Sequence, residues 1–153
     1  MIKYALIGAA LVVITVMIHA VGTTWWLRVL RYRYADAQGL MQPGKTLHVL
    51  IGTVLALLLL HTIEIVVWAY AYVALLPAGV LASFEESVYF SFVTFTTLGY
   101  GDITLTENWR LLSGIEALNG IMLVGWTTAM LFAVVQRTWQ ALAHRTQSNI
   151  PDQ

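Results

Sequence analysis

Three long apolar runs, Ile2 to Gly22, Thr46 to Leu76 and Trp109 to about Gln136, leave this chain of 153 residues few ways to fold. The first carries only Lys3 and His19 as ionisable groups, and about 20 apolar residues are what a hydrocarbon core of roughly 30 Å requires. The second ends at Pro77; at 1.5 Å per residue it would reach roughly 46 Å, so it is expected to tilt strongly. Composition agrees, since 59% of the chain is hydrophobic and only 10% charged, against about 25% charged in an ordinary soluble domain. The solvent must be largely lipid. Eight basic and eight acidic residues give zero formal charge without a basic patch, which argues against nucleic acid as a partner. The absence of cysteine excludes disulfides, zinc thiolates and thiol catalysis.

A cleaved signal peptide is the rival reading of the first run, but the run is long for one. Arg28, Arg31, Arg33 and Lys45 follow it against a single Asp36, which marks residues 23–45 as cytoplasmic. Trp25, Trp26 and the three arginines suggest an interfacial stretch up to Tyr34, ended by Gln38, Gly39, Pro43 and Gly44. A voltage sensor would instead need its arginines inside a span. Arg137, His144 and Arg145 put the far end of the third run on the same side. The expected topology is multi-pass in the cell membrane, N-terminus outside and C-terminus cytoplasmic. The expected parts are an N-terminal helix over 1–22, a linker over 23–45, a module over 46–137 and a tail over 138–153.

Between the last two spans, Pro77 to Asn108 is too poor in apolar residues to cross and too aromatic for a plain loop. Ser83 followed by Glu86 is a capping box, and residues 84–96 then read as about three apolar helical turns. Thr96, Thr97, Leu98, Gly99, Tyr100, Gly101 and Asp102 come next. A short helix returning as extended chain is a re-entrant loop, tolerated at membrane depth where its backbone is buried in protein or lines water. The glycines flanking Tyr100 admit torsions closed to other residues, so successive carbonyls can point the same way. Four such strands around an axis would replace the water shell of a dehydrated cation.

The segment Thr97-Leu98-Gly99-Tyr100-Gly101-Asp102 resembles the potassium-channel signature, and its place between two spans is similar to the pore module of prokaryotic two-helix potassium channels. The resemblance covers roughly residues 46–137: outer helix 46–76, pore helix 84–96, filter 97–101 and inner helix 109–136. It implies that the Thr97 hydroxyl and the carbonyls of Thr97, Leu98, Gly99 and Tyr100 hold K⁺, with Gly101 completing the filter. Leu98 replaces the family's commoner valine, Val93 stands where some members carry glutamate, and Tyr89 and Phe90 replace paired tryptophans. By the same resemblance Tyr89 donates a hydrogen bond to Asp102, Gly120 is the gating hinge, Gly125 a lower alternative, and Ile121, Val124 and Thr128 face the cavity.

Glu64 and Glu116 are the two carboxylates within spans, where an ionisable residue is costly unless partnered. Lying at similar depths, they are expected to brace the filter from behind through pore-loop backbone or hydroxyl groups. Glu116 points about 140° from the Ile121 face, and His61, Glu64, Trp68 and Tyr72 form one stripe toward the pore module. His19 and His48 could be drawn as a bis-histidine haem site or a pH sensor, but packing histidines are the reading adopted. Ala5, Ala9 and Ala20 suggest a packing face on the first span. No catalytic constellation occurs, so no enzyme and no cofactor beyond bound K⁺ are expected. The reading is an all-α membrane protein, three transmembrane helices per subunit plus re-entrant pore helix and filter, forming a homotetrameric pore in the lipid bilayer. The rival is a non-conducting membrane subunit that assembles with other channels.

Overall fold

The computed structural model describes residues 2–34, 43–77, 79–106 and 109–148. Its helices are α1 (Ile2–Tyr34), α2 (Thr46–Leu75), α3 (Phe84–Phe95) and α4 (Trp109–Ser148), with a 3₁₀ turn at Pro43–Lys45 before α2. No strand occurs among the described residues, and three helices are long and apolar enough to cross a membrane. The chain is an all-helical, multi-pass membrane protein.

Helix boundaries differ from the sequence reading mainly at the C-terminal ends of the first and last helices. The first helix does not stop at Gly22 but runs unbroken through Trp25, Trp26, Arg28, Arg31 and Arg33 to Tyr34. Nothing between Gly22 and Tyr34 breaks a helix: there is no proline, and the single glycine costs only about 1 kcal/mol. At 33 residues it is roughly 50 Å long by the 1.5 Å rise, so its last turns project beyond a lipid core. The linker's Asp36, Gln38 and Gly39 lie outside the described residues. The inner helix likewise continues past Gln136 to Ser148, absorbing most of the expected tail, whose last residues, 149–153, also lie outside.

The capping box is present with one variation. Ser83, extended at φ −151°, accepts a hydrogen bond from the Glu86 amide at 3.1 Å. The Glu86 carboxylate reaches back to the amide of Ala82, one residue before the cap. These contacts start α3 where the sequence drops its last small residues, and they aim its C-terminus at the turn that carries Thr97.

Lipid offers no hydrophobic drive between helices, so association rests on close packing and interhelical hydrogen bonds. Both are present. Ile65, Trp68, Tyr72, Phe90, Phe95, Leu112 and Leu123 form one buried cluster in which α3 is wedged between α2 and α4. A smaller cluster of Leu30, Val49 and Val134 closes the other end. Helix α1 packs on α2 and α4 through Gly8, Thr15, His19 and Thr23, all buried. Ala5 and Ala9 are exposed, so the expected alanine face is not the packing surface. Close approach is made by glycine instead: a Cβ on Gly8 would come within 2.7 Å of Ile115, and one on Gly22 would overlap Leu60. Two neutral polar links complete the seam, Asn119 Nδ2 to Thr15 Oγ1 at 2.8 Å and Trp26 Nε1 to Thr53 Oγ1 at 3.1 Å.

Candidate functional site

Helix α3 ends at Phe95, and the chain turns directly into the segment 97–101. The Leu98 and Gly99 amides both donate to the Val93 carbonyl, at 2.9 and 3.3 Å, and the Thr97 amide donates to Thr94 at 2.9 Å. These amides face back toward the pore-helix C-terminus. The backbone takes positive φ at every second residue, +59° at Thr97, +56° at Gly99 and +80° at Gly101. Alternating left- and right-handed torsions turn successive peptide planes the same way, where an ordinary strand alternates them. The glycine freedom expected from the sequence is used at both glycines, and Thr97 adds a third left-handed position. That conformation is uncommon for a threonine.

The whole segment is exposed in the single chain, with Leu98 at 53% and Tyr100 at 66% of full accessibility. Tyr89 Oη donates to Asp102 Oδ2 at 2.7 Å, tying the outer end of the segment to α3. This bond holds the Asp102 carboxyl below the ordinary aspartate range and pushes the Tyr89 phenol above its ordinary value. Phe90 and Val93 are buried on the opposite side of α3. Tyr72 of α2 meets the Phe90 ring edge-on at 5.2 Å. The return strand passes Leu105, whose carbonyl accepts from Arg110 Nε at 3.2 Å at the start of α4.

On α4, Gly120 is buried beneath the end of α3, and a Cβ there would overlap the Phe95 carbonyl oxygen. Gly125 meets nothing, and α4 is continuous through both. Ile121, Val124 and Thr128 are all exposed on one face of α4.

Of the two carboxylates, Glu64 does not make the pore-loop contacts expected of it. Glu64 is fully buried, but its oxygens pair with His19 of α1 at 2.8 Å and His61 at 2.9 Å, not with pore-loop groups. The sequence reading left α1 out of this neighbourhood, and α1 fills it with His19. Glu116 accepts from Tyr72 Oη at 2.7 Å, clamping α2 to α4 behind α3. Its Oε1 and the nearby-helix Ser91 Oγ are buried without a hydrogen bond among the described residues. Glu116 faces the Ser91 side chain of the pore helix directly, and it reaches that helix also through Tyr72 and its packing on Phe90. His48 is exposed in the first turn of α2, so the drawn His19 and His48 pairing does not form.

A capped short helix, a following segment with positive φ at every second residue, and two flanking spans define the membrane-pore class of protein. Residues 58–137, just over half of the chain, match the family model described as ion channel. The chain belongs to that family, the two-transmembrane pore domains of potassium-channel type. No curated protein and no solved structure matches it.

Proposed function

We propose that the protein conducts K⁺ selectively as a homotetramer, with N-terminus outside and C-terminus cytoplasmic. The observation that carries the reading is the alternation of positive φ at Thr97, Gly99 and Gly101, with the 98 and 99 amides held by Val93. Such a backbone offers its carbonyls in a row on the side away from α3, as ligands for a dehydrated monovalent cation. One chain supplies one wall; four around an axis close the site. The Thr97 hydroxyl and the carbonyls of residues 97–100 are the ion ligands, and Gly101 and Asp102 form the outer mouth. Exposed Ile121, Val124 and Thr128 line the aqueous cavity below. A hollow of about 610 Å³ between the filter, α3 and the start of α4 supports further chain packing there.

Gly99→Ala tests the role of the torsions. A Cβ at Gly99 meets no atom of its own chain within 4 Å, so within the subunit any effect is conformational and not steric. Holding alanine in the left-handed region costs about 1–2 kcal/mol per residue, repeated in every subunit. The variant is expected to assemble and to lose its K⁺ preference in liposome flux. A variant with unaltered preference would contradict the role of the torsions.

A further inference from the structure

Among α1, α2 and α4, well away from the filter segment in sequence, His19, His61 and Glu64 each bring one donor atom within 4.8 Å of the others. Their two imidazoles stack at 5.4 Å between centroids, 29° from parallel, and both present Nδ1 to the same carboxylate. His19 and Glu64 are fully buried, and the His61 side chain is 13% exposed. On the far edge of the rings lies Thr127 of α4, whose Oγ1 is 2.9 Å from His61 Nε2 and 3.5 Å from His19 Nε2. Trp126 and Phe95 stand against the rings at 5.4 and 5.8 Å.

The hydrogen accounting of this cluster points to a cation. If both neutral rings carry their proton on Nδ1, Glu64 keeps an uncompensated charge at membrane depth, and Thr127 has one hydrogen for two Nε2 acceptors. If both carry it on Nε2, Thr127 accepts from the two rings, and two Nδ1 lone pairs face the two oxygens of one carboxylate. That arrangement repels itself unless a cation stands there. Two imidazoles and one carboxylate are the ligand set of open, three-ligand zinc sites, whereas Mg²⁺ and Ca²⁺ favour all-oxygen sets.

We propose that His19, His61 and Glu64 form a binding site for a divalent transition-metal ion of the Zn²⁺ class, joining α1 to the pore module. Thr127 orients both rings from behind, as outer-shell partners of metal-bound histidines do. The fourth position opens on the partly exposed His61 side, and the aromatic rings keep the rest dry. A single proton shared by the two rings is the competing occupant, since it too would neutralise Glu64. The proposal stands independently of what the pore conducts.

The full chain, purified in detergent, is stripped with chelator, loaded with Co²⁺ and desalted. The expected result is one Co²⁺ per chain with the visible absorption of a tetrahedral nitrogen and oxygen site, displaced by Zn²⁺, and a higher unfolding temperature when Zn²⁺ is bound. Glu64→Gln and His61→Gln should abolish uptake, while His48→Gln, altering an exposed histidine, should leave it unchanged. Thr127→Val keeps all three ligands and should weaken Zn²⁺ binding about 10- to 100-fold, which decides the matter even if the ligand variants fail to fold. Folded wild-type protein that retains no metal, whether or not its stability varies with pH, would overturn the site in favour of the proton. Equal Zn²⁺ affinity in wild type and Thr127→Val would place the metal elsewhere, and so would uptake by a folded Glu64→Gln.

Discussion

Thr97 is where local preference and fold disagree. The sequence reading credited the unusual torsions to Gly99 and Gly101 alone, because glycine takes positive φ freely and threonine does not. What turns Thr97 is the local end of α3: the Leu98 amide bonded to Val93 and the Thr97 amide bonded to Thr94 are the paired bonds of a helix C-cap whose next residue is left-handed. The usual sequence signal for that cap is glycine, and threonine stands in its place. The Tyr89 to Asp102 bond, by contrast, was legible through the family resemblance, and it yields a pH prediction. Because Tyr89 lowers the Asp102 pKa, the bond stabilises the folded mouth fully above the ordinary aspartate value. That stabilisation is lost as pH falls through the lowered value. Tyr89→Phe removes the first cause of the shift, so the acid limb of ion flux should move to higher pH, toward ordinary aspartate behaviour. Flux titrated against pH in wild type and variant checks this; coincident acid limbs would dissociate the bond from the mouth's stability.

At the scale of elements, the starts of α2, α3 and α4 were readable because each has a local cause: the turn around Pro43 and Gly44, the Ser83 cap, and Trp109 opening an apolar run. The end of α1 was not, since charge marks where lipid stops and not where a helix stops, and Arg28 to Arg33 are good helix formers. The docking of α1 was equally hidden. Its alanines suggested one face, while Gly8, Thr15, His19 and Thr23 form the real one, chosen by partners some 40 to 100 residues away, such as Glu64 and Asn119. Interhelical hydrogen bonds in membranes average about 0.6 kcal/mol, so no single one holds α1. Trp26→Phe, which loses the bond to Thr53 and the indole's packing on Gly52, should lower unfolding free energy by about 0.5–3 kcal/mol and leave α1 docked, as measured by denaturation in mixed micelles. Gly120 and Gly125 should respond very differently to alanine. At Gly120 the new methyl meets backbone oxygen, so Gly120→Ala should destabilise the fold by about 1–3 kcal/mol or more, as overpacking does. Gly125→Ala, entering open space, should be near neutral for stability. Thermal unfolding of the pair separates this close-packing role from a hinge, which would make both variants fold normally and alter gating alone.

For the molecule as a whole, the single chain leaves apolar side chains uncovered on α3, the filter segment and α4: Phe92, Leu98, Leu118, Ile121, Met122 and Val124. Lipid could cover some of them, but the exposed polar backbone of residues 97–101 beside them belongs against protein or water at membrane depth. The proposed fourfold assembly would meet both needs. The arginines of α1 cluster in its last two turns, beyond the 20 or so residues that a lipid core requires, so conduction should depend only weakly on voltage. A conductance that rises steeply with voltage, carrying several elementary charges per subunit, would place those arginines inside the field. The central claim is selective conduction, and the most direct measurement is the reversal potential of purified wild-type protein in a planar bilayer with K⁺ on one side and Na⁺ on the other. A large potential, negative on the K⁺ side, is the predicted result; a potential near zero, or no current at all from assembled protein, would contradict it.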